Sequence, residues 1–346
     1  MATAADLTLD SPRDQTRLFG HGAAQSAFIN AWHAGRVPHA WLIHGQAGIG
    51  KATFAYHLAR WVMTPERPTD TLQLPEGHAL YRQFSAGAVP GLLVIEPVER
   101  EKTGGQFIIS VTQVRGGFDD RTDVKREFKG IYEFLRHTSA GDGWRIVIID
   151  QADMLNEAAQ NAVLKILEEP PARALIVLTT SQPGRLLPTI RSRCRQLALG
   201  PLPEAELESA AKSVGFNLPK DAAPWLRAAR GSLGELARVL TLDVAGMDDI
   251  IGRLLRDLPQ LDWQAVHQFA VQIARKDAEP QFDLAMELLA DRMRALTTRQ
   301  PAIARDWPAL ALKIRAIKDA HLDTGAGLID IFSQIQKMVA VAGRAA

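Results

Sequence analysis

Thiols are almost absent from this chain, with one cysteine, Cys194, in 346 residues. A lone thiol cannot close an intrachain disulfide or build a zinc site from several thiolates, so both scaffolds are excluded and a reducing, cytoplasmic compartment is expected. A surplus of either charge is also lacking. Lys and Arg number 40 against 39 Asp and Glu, a net +1, which gives no global field for nucleic acid or an acidic membrane; any DNA contact must be local. No apolar run approaches the roughly 20 residues that span a bilayer, and no membrane partner is expected. Met1 to Pro12 carry Asp6 and Asp10 where a secretory leader has basic and then apolar residues, so no leader is expected. The remaining composition, 47% hydrophobic and 23% charged, is that of a globular chain long enough for two or three domains.

What is present is an alternation of short β-rich apolar runs with helical periods. Runs at Ala40–His44, Leu92–Ile95, Arg145–Ile149, Ala174–Thr180 and Arg195–Leu199 predict the strands of a largely parallel α/β sheet. Ile146-Val147-Ile148-Ile149 has no polar alternation, as expected of a central strand covered on both faces. Leu155, Ala159, Ala162, Val163, Ile166 and Leu167 recur at helical spacing until Pro170-Pro171 ends the helix. Past Gly200-Pro201 the pattern is helical throughout: three short stretches at Glu204–Val214, Ala222–Arg230 and Ser232–Leu240, then longer ones at Met247–Leu258, Trp263–Lys276, Phe282–Thr297, Trp307–Ala320 and Ala326–Val341. Residues 65–90 and 98–106 read as loops.

The strongest local motif is Gly45-Gln46-Ala47-Gly48-Ile49-Gly50-Lys51-Ala52, set between a predicted strand and a predicted helix, Lys51–Met63. In such a loop backbone N–H groups and the helix N-terminus cradle phosphates, and the lysine reaches the outer ones. The pattern departs from its rule at Ala52, where a Ser or Thr hydroxyl should ligate magnesium; Thr53 lies about 100° further round the helix. Asp150, ending a buried strand, is the candidate magnesium carboxylate, but Gln151 follows it where many ATPases carry a water-polarising glutamate, and an amide cannot take a proton. Phosphate binding without metal-assisted hydrolysis is the chemistry these residues suggest.

Four stretches carry a resemblance. They are Leu18-Phe19-Gly20-His21 with Arg36-Val37-Pro38-His39-Ala40-Trp41-Leu42; Asp150-Gln151-Ala152-Asp153 continuing through Ala158-Ala159-Gln160-Asn161 to Leu167-Glu168-Glu169-Pro170-Pro171; Thr179-Thr180-Ser181 leading to Arg191-Ser192-Arg193-Cys194; and Gly231-Ser232-Leu233-Gly234-Glu235. In this order they resemble the AAA+ subunits of bacterial sliding-clamp loaders. The resemblance covers about the first 240 residues. It implies a P-loop NTPase-like α/β AAA+ domain at 1–200, a small helical lid at 201–243 and an all-α collar domain at 244–346. It further implies a degenerate ATP site formed by Gly45, Gly48, Gly50, Lys51, Ala52, Thr53, Asp150 and Thr180, with ATP held weakly or not at all and magnesium only alongside it. Arg193, in the Ser-Arg-Cys match, becomes an arginine finger offered in trans to a neighbour's ATP, a role suited to a permanently charged planar fork; Cys194 reads as a small buried residue.

The departures narrow the expectation. Gly234 stands where motor subunits have a nucleotide-sensing arginine, and residues 65–90 contain no cysteine where many relatives insert a four-cysteine zinc module, so no structural zinc is expected. A chain whose own site lacks catalytic groups but which keeps Arg193 matches a stator of the DNA polymerase III holoenzyme. The partners implied are the other loader subunits (gamma/tau and delta), the sliding clamp, and primer–template DNA through the assembly. The competing reading is a catalytically active AAA+ motor acting on DNA, since the glycine loop and Asp150 are present.

Overall fold

The computed structural model describes residues 9–100, 106–119, 126–136, 143–220, 222–242, 244–274, 279–299, 303, 307–310, 312–313 and 324–345. The chain forms two compact units, one spanning Leu9–Glu206 and the other running from Leu207 to the C-terminus. In the first, strands β1 (Ala40–His44), β2 (Leu92–Ile95), β7 (Arg145–Ile149), β8 (Ala174–Thr180) and β9 (Arg195–Ala198) make one parallel sheet in the order β2-β7-β8-β1-β9. Successive side chains alternate between its faces. Trp41 and Ile43, Ile146 and Ile148, Leu175 and Val177 pack on the side of α1 (Gly22–His33) and α2 (Lys51–Met63). Leu42, Val147, Ile149, Ile176 and Leu178 pack on the other side, under α4 (Val111–Arg115), α5 (Ile131–Arg136), α6 (Glu157–Glu168) and α7 (Pro188–Arg193). Both faces are apolar because both are covered, which is the condition of a parallel sheet.

The two segments read as loops are partly regular. Ala79–Ser85 is a helix, α3, started by the His78 ring, whose Nδ1 accepts from the Leu80 N–H at 3.2 Å. Val98–Arg100 (β3) pairs antiparallel with Gln106–Ile108 (β4), and Gly117–Asp119 (β5) with Arg126–Phe128 (β6). Residues 65–90 are held by cations and aromatic rings. Arg60, fully buried on α2, donates to the carbonyls of Gln15 (3.0 Å) and Arg13, and its guanidinium lies 4.8 Å from the Tyr81 ring centre and 4.9 Å from that of Phe84. Arg67 stacks on Trp32 and Trp61 at 4.6 and 5.1 Å. Cation–π contacts contribute about 0.5–1 kcal/mol where the cation is exposed and about 2 kcal/mol where it is desolvated, as at Arg60.

In the second unit the described helices are α8 (Glu204–Ser213, beginning in the first unit), α9 (Ala223–Ala228), α10 (Leu233–Leu240), α11 (Val244–Arg256), α12 (Trp263–Ile273), α13 (Glu279–Arg299) and α14 (Thr324–Ala345). The helix expected at 307–320 falls mostly outside the described residues. Leu284, Leu288, Leu289 and Phe332 are core residues here, with Ile329 partly buried against them. Ala228 and Val239 from α9 and α10 share that core, and Arg227 on α9 pairs with Asp291 and, at 3.7 Å, with Glu287 of α13. Burial raises the Glu287 pKa, against the pull of Arg227. Among the described residues no helix is long and apolar enough to cross a membrane.

His57 gives the first unit a defined acid response. It is fully buried on α2, and desolvation followed by the Arg60 charge lowers its pKa to about 3 from the usual 6.5. The unfolded chain therefore binds this proton first, so stability falls as pH drops from 6.5 toward 3, with a limiting slope of roughly 1 kcal/mol per pH unit. Urea unfolding of His57→Phe should show a smaller loss between pH 6.5 and 4.5 than the natural chain; equal losses would show that His57 does not carry it.

Candidate functional site

The carboxyl edge of the sheet gathers the sequence-predicted residues, because the ends of β1, β7 and β8 lie side by side, with Ile43 opposite Thr179 and His44 opposite Thr180. The chain leaves β1 through Gly45, where a Cβ would come within 2.5 Å of the Leu199 carbonyl oxygen. It turns through Gly48 (φ 68°) and Gly50 (φ 103°), left-handed conformations that favour glycine, into α2. Gly50 is the N-cap and α2 has no acidic residue in its first turn, so the helix start is electropositive. His21, itself left-handed (φ 56°), braces the loop with its Nε2 3.1 Å from the Ile49 carbonyl oxygen.

Lys51 points into this loop. Its Nζ donates to the carbonyls of Gly45 (3.0 Å) and Gln46 (2.7 Å) and to Ser181 Oγ (2.8 Å), a full set for an ammonium with three N–H donors. Only 8% of the residue is exposed; burial lowers its pKa, opposed by the charges of Asp150 and Asp153. Ala52 presents a methyl where a metal-binding hydroxyl would stand, and Thr53 beside it is half-buried. Asp150 accepts from Thr179 Oγ1 at 2.5 Å, while Thr179 Oγ1 accepts from the Gln151 N–H at 3.0 Å. Gln151 has left-handed backbone (φ 51°) and an exposed side chain.

Thr180 is brought to the same edge but turned away from Lys51. Its hydroxyl donates to Asp153 Oδ1 at 2.6 Å and accepts from the Gln182 N–H at 3.0 Å. Ser181, one residue further on and outside the sequence-predicted site, takes the lysine. The period of two explains it: Thr179 and Ser181 share the parity of Leu175 and Val177, which face α2, whereas Thr180 shares that of Ile176 and Leu178, which face α6. Extending that alternation past the strand is the signal that finds Ser181.

Arg193 lies apart from the loop, in the last turn of α7. Ile190 and Cys194 anchor this helix in the core, and burial raises the Cys194 pKa to about 12, leaving the thiol protonated and inert. The turn feeding α7 is tied to α6 by Gln160, whose buried amide accepts from the Leu187 N–H (2.8 Å) and donates to the carbonyls of Leu155 (3.2 Å) and Arg185 (3.3 Å). The exposed Arg193 guanidinium donates to the Thr189 carbonyl (3.1 Å) and pairs with Glu168 (2.9 Å).

Residues 20–203, which hold the loop, Asp150, Asp153 and Arg193, match the family described as DNA polymerase III, delta subunit. The chain belongs to that family. It is similar to proteins named DNA polymerase III subunit delta' from Pseudomonas aeruginosa, 38% identical over 167 residues (48% of this chain, 44% of that one), and from Escherichia coli, 32% identical over 182 residues (51% and 46%). The chain thus spans somewhat less than half the length of these relatives. A solved gamma subunit-related protein from Thermotoga maritima overlaps 90% of this chain and 99% of its own length at 17% identity, with a TM-score of 0.38.

For this delta-family chain the fit to magnesium-bound ATP is incomplete on its own side chains. The glycine backbone and the start of α2 suit a phosphate. Ala52 offers no oxygen to a metal, and the Lys51 ammonium is already satisfied by its own loop and Ser181. No chemical step is therefore assigned to this loop, and Lys51 acts as a cross-link between the ends of β1 and β8. Lys51→Met should lower the unfolding free energy by about 2 kcal/mol in urea titrations, the value of charged hydrogen bonds whose acceptors are left unpaired. Unchanged stability would show that the lysine is dispensable to the loop.

Proposed function

We propose that this chain is the delta-prime stator of a DNA polymerase III clamp loader: a subunit that does not hydrolyse ATP but presents Arg193 in trans to ATP on an adjacent motor subunit while the assembly loads the sliding clamp onto primed DNA. The observation that carries the reading is the opposite condition of its two phosphate-directed cations. Lys51 is buried and saturated by its own loop, whereas Arg193 is exposed on a helix rigidly mounted on the core. Family membership over residues 20–203 and the delta' names of the relatives support it.

On this reading the partners are the gamma/tau motor subunits, delta, the sliding clamp, and primer–template DNA bound by the whole assembly, in keeping with a net charge of +1. Residues 1–200 act as the AAA+ domain, 201–243 as the lid, and 244–346 as one segment of a helical collar. Gly45, Gly48, Gly50, Lys51, Ala52, Thr53, Asp150 and Thr180 remain as a vestigial site that holds ATP weakly or not at all. Chemically, Arg193 supplies positive charge to a phosphoryl group as charge builds on its oxygens, a contribution that reaches about 10³-fold or more at a single site.

The reading is tested with a loader reconstituted from this chain and its partners, by measuring DNA- and clamp-stimulated ATP hydrolysis. Arg193→Ala should assemble normally and lose the share of the rate belonging to the site it serves, with clamp loading slowed in parallel. Normal assembly with an unchanged rate would remove the finger assignment. Magnesium-dependent turnover by the isolated chain, abolished by Lys51→Ala, would favour an active motor instead.

A further inference from the structure

Resting on the finger reading, we propose that Glu168 is the positioning residue for Arg193. The pair spans two helices. Glu168 is the last residue of α6, directly after the buried Ile166 and Leu167 and two residues before Pro170; Arg193 is the last residue of α7, between the buried Ile190 and Cys194. Those four apolar residues belong to one core cluster, so both charged ends stand on a common apolar body with their separation set by packing.

The contact geometry leaves the finger usable. Glu168 Oε1 meets Nη2 at 2.9 Å and the Thr189 carbonyl oxygen meets Nη1 at 3.1 Å. A guanidinium has five N–H donors in one plane, so these two contacts fix its direction and leave further donors for a phosphate. A free arginine would have to freeze its many rotamers on reaching a neighbour's nucleotide. One held by α6 and by its own helix begins ordered, and a half-exposed ion pair is weak enough not to compete with a polyphosphate. The carboxylate therefore serves the reaction through Arg193 without touching the substrate.

The test uses the reconstituted loader with Glu168→Ala, Glu168→Gln, Arg193→Ala and the double variant Glu168→Ala/Arg193→Ala, comparing stimulated kcat and KM for ATP after assembly has been checked. Glu168→Ala should lower kcat about 3- to 10-fold with KM unchanged, the pattern of an interaction that serves the transition state. Glu168→Gln, which keeps an acceptor oxygen but drops the charge, should fall between that variant and the natural chain. In the Arg193→Ala background the Glu168 change should have no further effect, because the residue acts only through the finger. An unchanged or raised kcat in either Glu168 variant would overturn the proposal. So would a double variant slower than Arg193→Ala by the full Glu168 factor. If Arg193→Ala itself leaves the rate intact, the finger reading fails first and takes this one with it.

Discussion

A parallel sheet enclosed on both faces leaves its polar chemistry nowhere to go but the strand ends. The rest of the first unit follows from that constraint. Along β1, β7 and β8 every residue from Ile146 to Ile149 and from Ala174 to Thr180 is buried, so the strand interiors are apolar and the first carboxylate appears where β7 stops, at Asp150. The hydroxyls that end β8 fall beside it, and the glycine loop that ends β1 falls beside them. Charge and hydrogen-bonding capacity are thereby concentrated at one edge, whatever that edge is used for.

At this edge the groups satisfy one another. The two aspartates are held by the two β8 threonines, the lysine by two loop carbonyls and a serine, and the loop by His21. Arg193 belongs to a different arrangement. It is carried by α6 and α7 through apolar packing, with Gln160 fixing the backbone between them, so its guanidinium is left on the surface. One unit thus contains an inward-facing nucleotide loop and an outward-facing cation.

The five strands of the main sheet are readable within a residue because double-sided burial writes continuous apolar runs, and α2 and α6 because a glycine loop opens the one and a proline pair closes the other; the Asn156 cap that starts α6 at Glu157 emerges from the structure. The pair Val98–Arg100 with Gln106–Ile108 was not readable, since three-residue strands carry too little alternation to be distinguished from loop. Helix α3 is illegible for another reason: Tyr81 and Phe84 are held by Arg60, a contact across more than twenty residues that local periodicity cannot report. At the site, the residue types and their strand-end placement were legible, but the partner of Lys51 was not. Which β8 hydroxyl meets Lys51 follows only from counting parity outward from the strand's buried residues, which puts Ser181 on the lysine's side and Thr180 on the other.

The burial of Cys194 has a practical side. The residue is 7% exposed, is the chain's one cysteine, and burial pushes its thiol pKa up to about 12. The folded chain therefore offers thiol-directed reagents only a shielded, protonated sulfur. A cysteine introduced on the exposed face of α7 would be the single position to take a maleimide dye, so distances from the finger helix to a labelled neighbour could be followed without first stripping the background.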